Sequence, residues 1–275
     1  MTTSSENLLK LARESQDAGN IDQAIKYLEE ALRTETDPKL LFELSKLYEG
    51  QGNYWLAYSA IKHMPNYLDS QYQDYFFKLL AKNNFLIEAL QIEANTDLKI
   101  CQKYQIVAVD DRTQSQIMKK LRQKNITEEA YAQVLKLSLT NFKNFVRATL
   151  VDPTAEFALR ISLIEECSKL RLDEQFSVLV DGQPTTFVPK ETIHFLQEPL
   201  YLETLAEVNK LLVKDPSYKA LAIASTNIIL GALYPKLGDY VTDPKAFAKD
   251  IVGSVKHTSA GEHEELFQRL LNQYL

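Results

Sequence analysis

An internal period of 33 residues near the start constrains this chain more than any other feature. Leu8, Leu11, Ala12, Gly19 and Ala24, shifted by that interval, fall on Leu41, Leu44, Ser45, Gly52 and Ala57. Leu28 and Ala31 fall on Ile61 and Met64, and the pair Gly19-Asn20 returns as Gly52-Asn53. Apart from Ala31, which falls on Met64, large apolar residues replace large ones and small residues replace small ones. A period of this length describes one supersecondary unit repeated along the chain. Leucines three residues apart mark one face of a first helix, and the small residue beside them lets a second helix approach. Glycine ends the first helix because it enters the left-handed region without steric cost. Ala24 and Ala57 repeat the small-residue device on the second helix. One such hairpin cannot bury its own apolar face, so neighbours must stack.

These residues resemble the tetratricopeptide repeat. Tyr48 fits the aromatic position of the family's first helix, where the first unit has Ser15; the family's proline after the second helix is displaced to Pro38. A degraded third unit follows, with Phe76, Leu80, Asn84 and Ala89 about 32 residues after their counterparts and Phe77 in the small position. The resemblance covers roughly residues 6–95, about a third of the chain. It implies an all-α fold, a right-handed superhelix of helical hairpins, with additional C-terminal helices and one small β-hairpin. The expected division is 1–105 for the repeats and 106–275 for a mostly helical remainder, with the repeat signal fading near 100–110.

Beyond the repeats, Ile117, Met118 and Leu121 give helical spacing to Gln114–Lys124. Thr127-Glu128-Glu129 reads as a helix start, a capping hydroxyl with acids in the first turn. Asp152-Pro153-Thr154 is expected to open a long helix containing Phe157, Leu159, Ile161, Leu163 and Ile164. The β signal lies at 174–188, where Gln175 to Val180 and Thr185 to Val188 flank the tight-turn pair Asp181-Gly182. Pro184 has no N–H for a ladder, which limits the region to a small two-stranded flap. Helices are expected at about 199–213, 217–233, 243–256 and 262–274. The first two of these read as a diverged repeat, with Leu205-Ala206 answered by Ala222 and Ala224. The strand pair followed by helices and Tyr234-Pro235 resembles the layout of tetratricopeptide proteins of Gram-positive bacteria, a likeness that implies no particular activity.

Composition narrows the function. Eight Gly and nine Pro in 275 residues argue against a turn-rich all-β fold. The net charge of −6 is unlike the basic domain of a nucleic-acid binder. The basic run Lys119, Lys120, Arg122, Lys124 reads as the charged side of an amphipathic helix. Cys101 and Cys167 are far apart and form no CxxC, which suits reduced thiols in a cytoplasmic protein. The N-terminus lacks the basic and apolar segments of a secretory signal. The longest apolar stretch, Ala220–Tyr234, is too short to span a membrane. His63, His194, His257 and His263 form no metal-ligand pattern; His257 and His263 flank a Ser-Ala-Gly turn. Adjacent acids such as Glu128-Glu129 and Glu165-Glu166 diverge by about 100° on a helix and make poor catalytic pairs. No catalytic, cofactor or metal residue is assigned, and no cofactor is expected.

A candidate binding surface comes from the repeats. Arg13, Lys46 and Lys78 each follow the small position of a first helix, so stacking would align them on the inner face. With Lys39 and Phe42 nearby, such a ladder suits an acidic or C-terminal carboxylate segment; the plain alternative is a solvated helix face. The family's chaperone-tail clamp needs an asparagine on the inner face of the first two units. Arg13 and Glu43 stand in those places, so the resemblance does not extend to chaperone tails. Trp55, beside Tyr54 and Tyr58, is either inter-helix packing or a partner hot spot. The leading expectation is a non-catalytic scaffold binding a protein or peptide. A peptide- or ligand-sensing regulator and an uncharacterised enzyme are the alternatives.

Overall fold

The computed structural model describes residues 2–123, 126–258 and 261–274. Among these are fifteen α-helices, several short 3-10 turns and one two-stranded antiparallel sheet. The chain divides into two compact units, Met1–Glu93 with Asp97–Ser138, and Ala94–Thr96 with Leu139–Leu275. The expected boundary at 105/106 lies inside the first unit.

The first unit opens with α1 (Thr3–Asp17), α2 (Ile21–Thr34), α3 (Pro38–Gly50) and α4 (Tyr54–Lys62). Each helix packs on the next. Gly19 and Gly52 have φ of +80° and +75°, the left-handed turn that ends α1 and α3. Asn20 and Asn53 follow each glycine, and Asn53 accepts a bond from the Leu56 N–H. Pro38 takes the first turn of α3, where its missing N–H costs nothing, and the Asp37 carboxylate caps that helix by accepting from the Lys39 N–H. Ala12, Ala24, Ala31, Ser45 and Ala57 are all buried, as the close-crossing reading requires. The Ser45 hydroxyl donates to the Ala57 carbonyl at 2.7 Å, joining the two small positions of the second hairpin.

One leucine departs from the expected face. Leu11 is 41% exposed while its counterpart Leu44 is 6% exposed. Leu44 packs into a cluster with α1 and α2 side chains, including Leu9 and Leu28. Among the described residues no earlier hairpin lies against Leu11 to do the same.

Next come α5 (Ser70–Asn83), α6 (Leu86–Asn95), α7 (Ile100–Tyr104), α8 (Asp111–Lys120) and α9 (Glu128–Ala132). Asn84 replaces glycine at the end of α5 with φ of +57°, a conformation asparagine tolerates better than most residues. Thr127 caps α9 as expected, its hydroxyl accepting from the Ala130 N–H. The helix expected over Gln114–Lys124 is instead α8. It starts earlier because Asp110 caps it through the Thr113 N–H, and it ends before Leu121. Lys124 lies outside the described residues.

The second unit holds α10 (Leu139–Leu150), α11 (Phe157–Lys169), β1 (Phe176–Val180), β2 (Gln183–Phe187), α12 (Pro199–Leu211), α13 (Lys219–Leu233), α14 (Pro244–Val255) and α15 (Glu264–Tyr274). The helix expected to open at Asp152 begins at Phe157. The Asp152 carboxylate accepts from both the N–H and the hydroxyl of Thr154, closing a turn that keeps Pro153 outside the helix. In the β-hairpin, Asp181 and Gly182 both have positive φ, 49° and 73°, the two-residue geometry that matches strand twist. Pairing runs from Phe176 opposite Phe187 to Val180 opposite Gln183. Phe176, Val178 and Val180 are buried, and α10 packs on β1. Pro184 is exposed opposite Leu179.

The four C-terminal helices lie where expected, but α12 and α13 do not reproduce the repeat. Ala222 is buried as expected, but Ala206 and Ala224 are exposed, and Thr204 and Val208 take the buried positions of α12. The reason is that α12 packs against α14 as well as α13, and α13 also meets α11 and α15. Helices packed on several sides need apolar bulk, and a single small-residue crossing does not provide it.

Candidate functional site

The repeat geometry determines which side chains meet between successive hairpins. Four side-chain contacts in the first unit join residues separated by 30 in sequence: Arg13 with Glu43, Ser45 with Tyr75, Tyr58 with Glu88, and Tyr104 with Asp74. A repeat of 33 minus one helical turn gives this spacing. Each side chain therefore meets the next hairpin about one turn before its own equivalent position. The contact from Asp74 to Tyr104 brings α7 against α5 in the same relation.

Along this line lie two aromatic and cationic clusters, one between α3 and α5 and one between α5 and α7, here called the strip. Phe42 lies 4.8 Å from Tyr72 and 5.3 Å from Tyr75 between ring centroids, and the Lys46 ammonium sits 4.3 Å over the Phe42 ring. Phe77, in the small position of the third unit, packs against Tyr104 at 5.4 Å, and Lys103 lies 4.8 Å over the Tyr104 ring. The Tyr75 hydroxyl is 3.0 Å from Ser45 Oγ, and burial pushes the Tyr75 phenol well up.

The residues singled out from sequence fare differently. Arg13 donates to Glu43 at 3.0 Å. Lys78 pairs with Asp74 at 2.6 Å. Hydrogen bonds from Lys78 and Tyr104 hold the Asp74 carboxyl below its usual range, and Asp74 in turn raises Lys78. Lys39 and Lys46 are exposed and make no ion pair among the described residues. Phe42 is half-buried at the α3 end of the strip. Trp55 belongs to a different cluster, with its ring 5.7 Å from Tyr58 and 6.4 Å from Phe85.

Beside Trp55 is a polar knot. The buried Glu88 carboxylate accepts from the Tyr58 hydroxyl at 2.5 Å and from Lys62 at 2.8 Å; Lys62 also donates to Tyr67 at 3.0 Å. Burial alone would lower the Lys62 pKa, but Glu88 outweighs it and the net shift is upward. This charge is paired and hydrogen-bonded, as a buried charge must be. It is a packing device between α4 and α6.

Sequence comparison at equal repeat positions missed Tyr72, Tyr75 and Tyr104. The signal that finds them is the 30-residue contact spacing, which pairs Tyr75 with Ser45 and Tyr104 with Asp74.

Other chemistry is sparse. Among the described residues no three His, Cys, Asp or Glu side chains gather to hold a metal ion. His63 Nδ1 lies 2.7 Å from the Ser59 carbonyl, His194 lies 3.9 Å from Glu165, and His263 lies 2.7 Å from Asp250. His257 is exposed, and Ser259 and Ala260 of the turn between it and His263 lie outside the described residues. Burial, with Glu93 nearby, pushes the Cys101 thiol up to about 12, and burial raises Cys167 further, so both favour the unreactive thiol form. No helix among the described residues is long and apolar enough to cross a membrane. Comparison with protein-family models, with curated proteins and with solved structures found no match.

Proposed function

We propose that this chain is a non-catalytic, cytoplasmic scaffold of the tetratricopeptide type, whose first hairpins stack as a right-handed superhelix and bind an extended protein segment. The observation that carries the reading is the strip Phe42, Tyr72, Tyr75 and Tyr104, with Lys46 and Lys103 over its rings. Aromatic side chains offer large contact area at low entropic cost, which is why they dominate binding hot spots. Lys39 and Lys46 supply positive charge with no ion pair of their own among the described residues. An acidic residue in the partner segment would also compete with Glu43 for Arg13. The partner is therefore a segment combining an aromatic or aliphatic anchor with carboxylates.

The test is crosslinking capture with wild type, with Phe42→Ala plus Tyr72→Ala, and with Arg13, Lys46 and Lys78 all changed to Glu. Loss of the same partner in both variants supports the strip. Retention in the aromatic variant would move binding off this face.

A further inference from the structure

A second feature of the first unit lies apart from the strip. A cleft of about 510 Å³ opens between α8 and α9 and the 3-10 turn that follows α9. Its floor is apolar, formed by Val109, Ile117 and Ala130. Among the described lining residues, Lys120 and Lys136 stand with one carboxylate, Glu129.

The walls are fixed by a buried amide. Gln114, 3% exposed, donates to the Val109 carbonyl at 2.7 Å and accepts from the Ser138 N–H at 2.9 Å. The Val109 N–H donates to the Lys136 carbonyl, closing the same corner. The backbone that carries Lys136 is thereby tied to the start of α8.

Lys136 is the unusual member. It is half-buried, makes no ion pair among the described residues, and its ammonium lies 5.9 Å from the Phe85 ring centroid. Desolvation lowers its pKa, only partly offset by Glu129. A cation in that position gains from an anion beside it. With Glu129 in the wall, the described residues lining the cleft carry one positive charge in excess. That balance suits a singly charged ligand and disfavours a doubly charged phosphate.

We infer that this cleft binds a small organic monocarboxylate with an apolar body, its carboxylate received by Lys136 and Lys120 and its body resting on Val109, Ile117 and Ala130. The experiment titrates the full chain with acetate, butanoate, octanoate, neutral octanamide and inorganic phosphate, followed by amide chemical shifts. Shifts at α8, α9 and residues 133–136 are expected with octanoate. Affinity should rise roughly twofold per added methylene, about half the gain for full burial. Lys136→Met should weaken octanoate roughly tenfold. Octanamide binding as well as octanoate, phosphate binding more tightly than octanoate, or an unchanged Lys136→Met would each overturn the assignment. The octanamide comparison on wild type and the surface variant Lys120→Gln decide the matter if Lys136→Met does not fold.

Discussion

The two units solve the same packing problem by different means. In the first, a short rule repeats: a small residue at the helix crossings of the first two hairpins, a left-handed residue after α1, α3 and α5, and polar contacts at a spacing of 30. In the second, the ties span separations from 19 to 88 residues. Arg160 donates to the Leu179 carbonyl, the Tyr234 hydroxyl to the Ile193 carbonyl, Lys256 pairs with Asp215, and Arg269 forks onto Asp181 from 88 residues away. A repeated rule makes each hairpin depend on its neighbours. Scattered long-range ties make every helix depend on the whole, and they cost more loop-closure entropy before they form.

The sharpest test of this difference compares two core truncations. Phe267→Ala removes a fully buried ring that packs edge-on to Phe247 at 5.0 Å, and should cost about 3–5 kcal/mol. Hydrogen exchange should then accelerate through α13, α14 and α15 together. Leu28→Ala should cost about 3 kcal/mol, but its effect should be strongest in α1 to α3 and fade by α5, as nearest-neighbour coupling requires. Equal spread in both variants would erase the distinction.

A smaller effect tests the polar knot. Glu88→Gln leaves Lys62 without its carboxylate and should destabilise the first unit by about 2–3 kcal/mol in chemical denaturation. Because Lys62 is raised in the folded state, the stabilisation is complete below the ordinary lysine pKa of about 10.4 and is lost as pH rises through the raised value. The gap between wild type and variant should hold at neutral pH and close in strong alkali.

The least costly pair contrasts two glycines. A Cβ at Gly231 would meet Ile161 at 3.0 Å and Phe157 at 3.1 Å, whereas one at Gly52 meets nothing within 4 Å but must hold φ of +75°. Gly231→Ala should cost about 1–2 kcal/mol through crowding, and Gly52→Ala about 1 kcal/mol through backbone strain. Thermal melts distinguish them: Gly231→Ala should be partly rescued by Ile161→Val, and Gly52→Ala should be rescued by Asn at position 52.

This contrast also explains what the sequence made legible. The small positions Ala12, Ser45, Ala24 and Ala57 and the turns at Gly19 and Gly52 could be read because local rules recur. The hairpin at Asp181-Gly182 could be read because a two-residue turn advertises itself. The exposed faces of Ala206 and Ala224 could not, since α12 is set by α14, which begins more than thirty residues later. At the candidate site, Lys46 and Phe42 were found by position, but the pairing of Arg13 and Lys78 with carboxylates was not. Equivalence between repeats shows which residues align. Contact is displaced by one helical turn, so the partners sit at a different spacing.

The fork from Arg269 to Asp181 has a consequence for how the chain is made. Ribosomes deliver residues in order, and domains fold as their parts emerge. The α1–α2 hairpin needs only α3, the next helix to emerge, to complete its apolar cluster. The Asp181 turn, by contrast, waits for 88 further residues before its arginine arrives. Phe247 likewise waits for Phe267 to cover it. Throughout that interval the nascent second unit presents an unsealed aromatic surface, so translation pausing just before α15 would leave it the more aggregation-prone half of the chain.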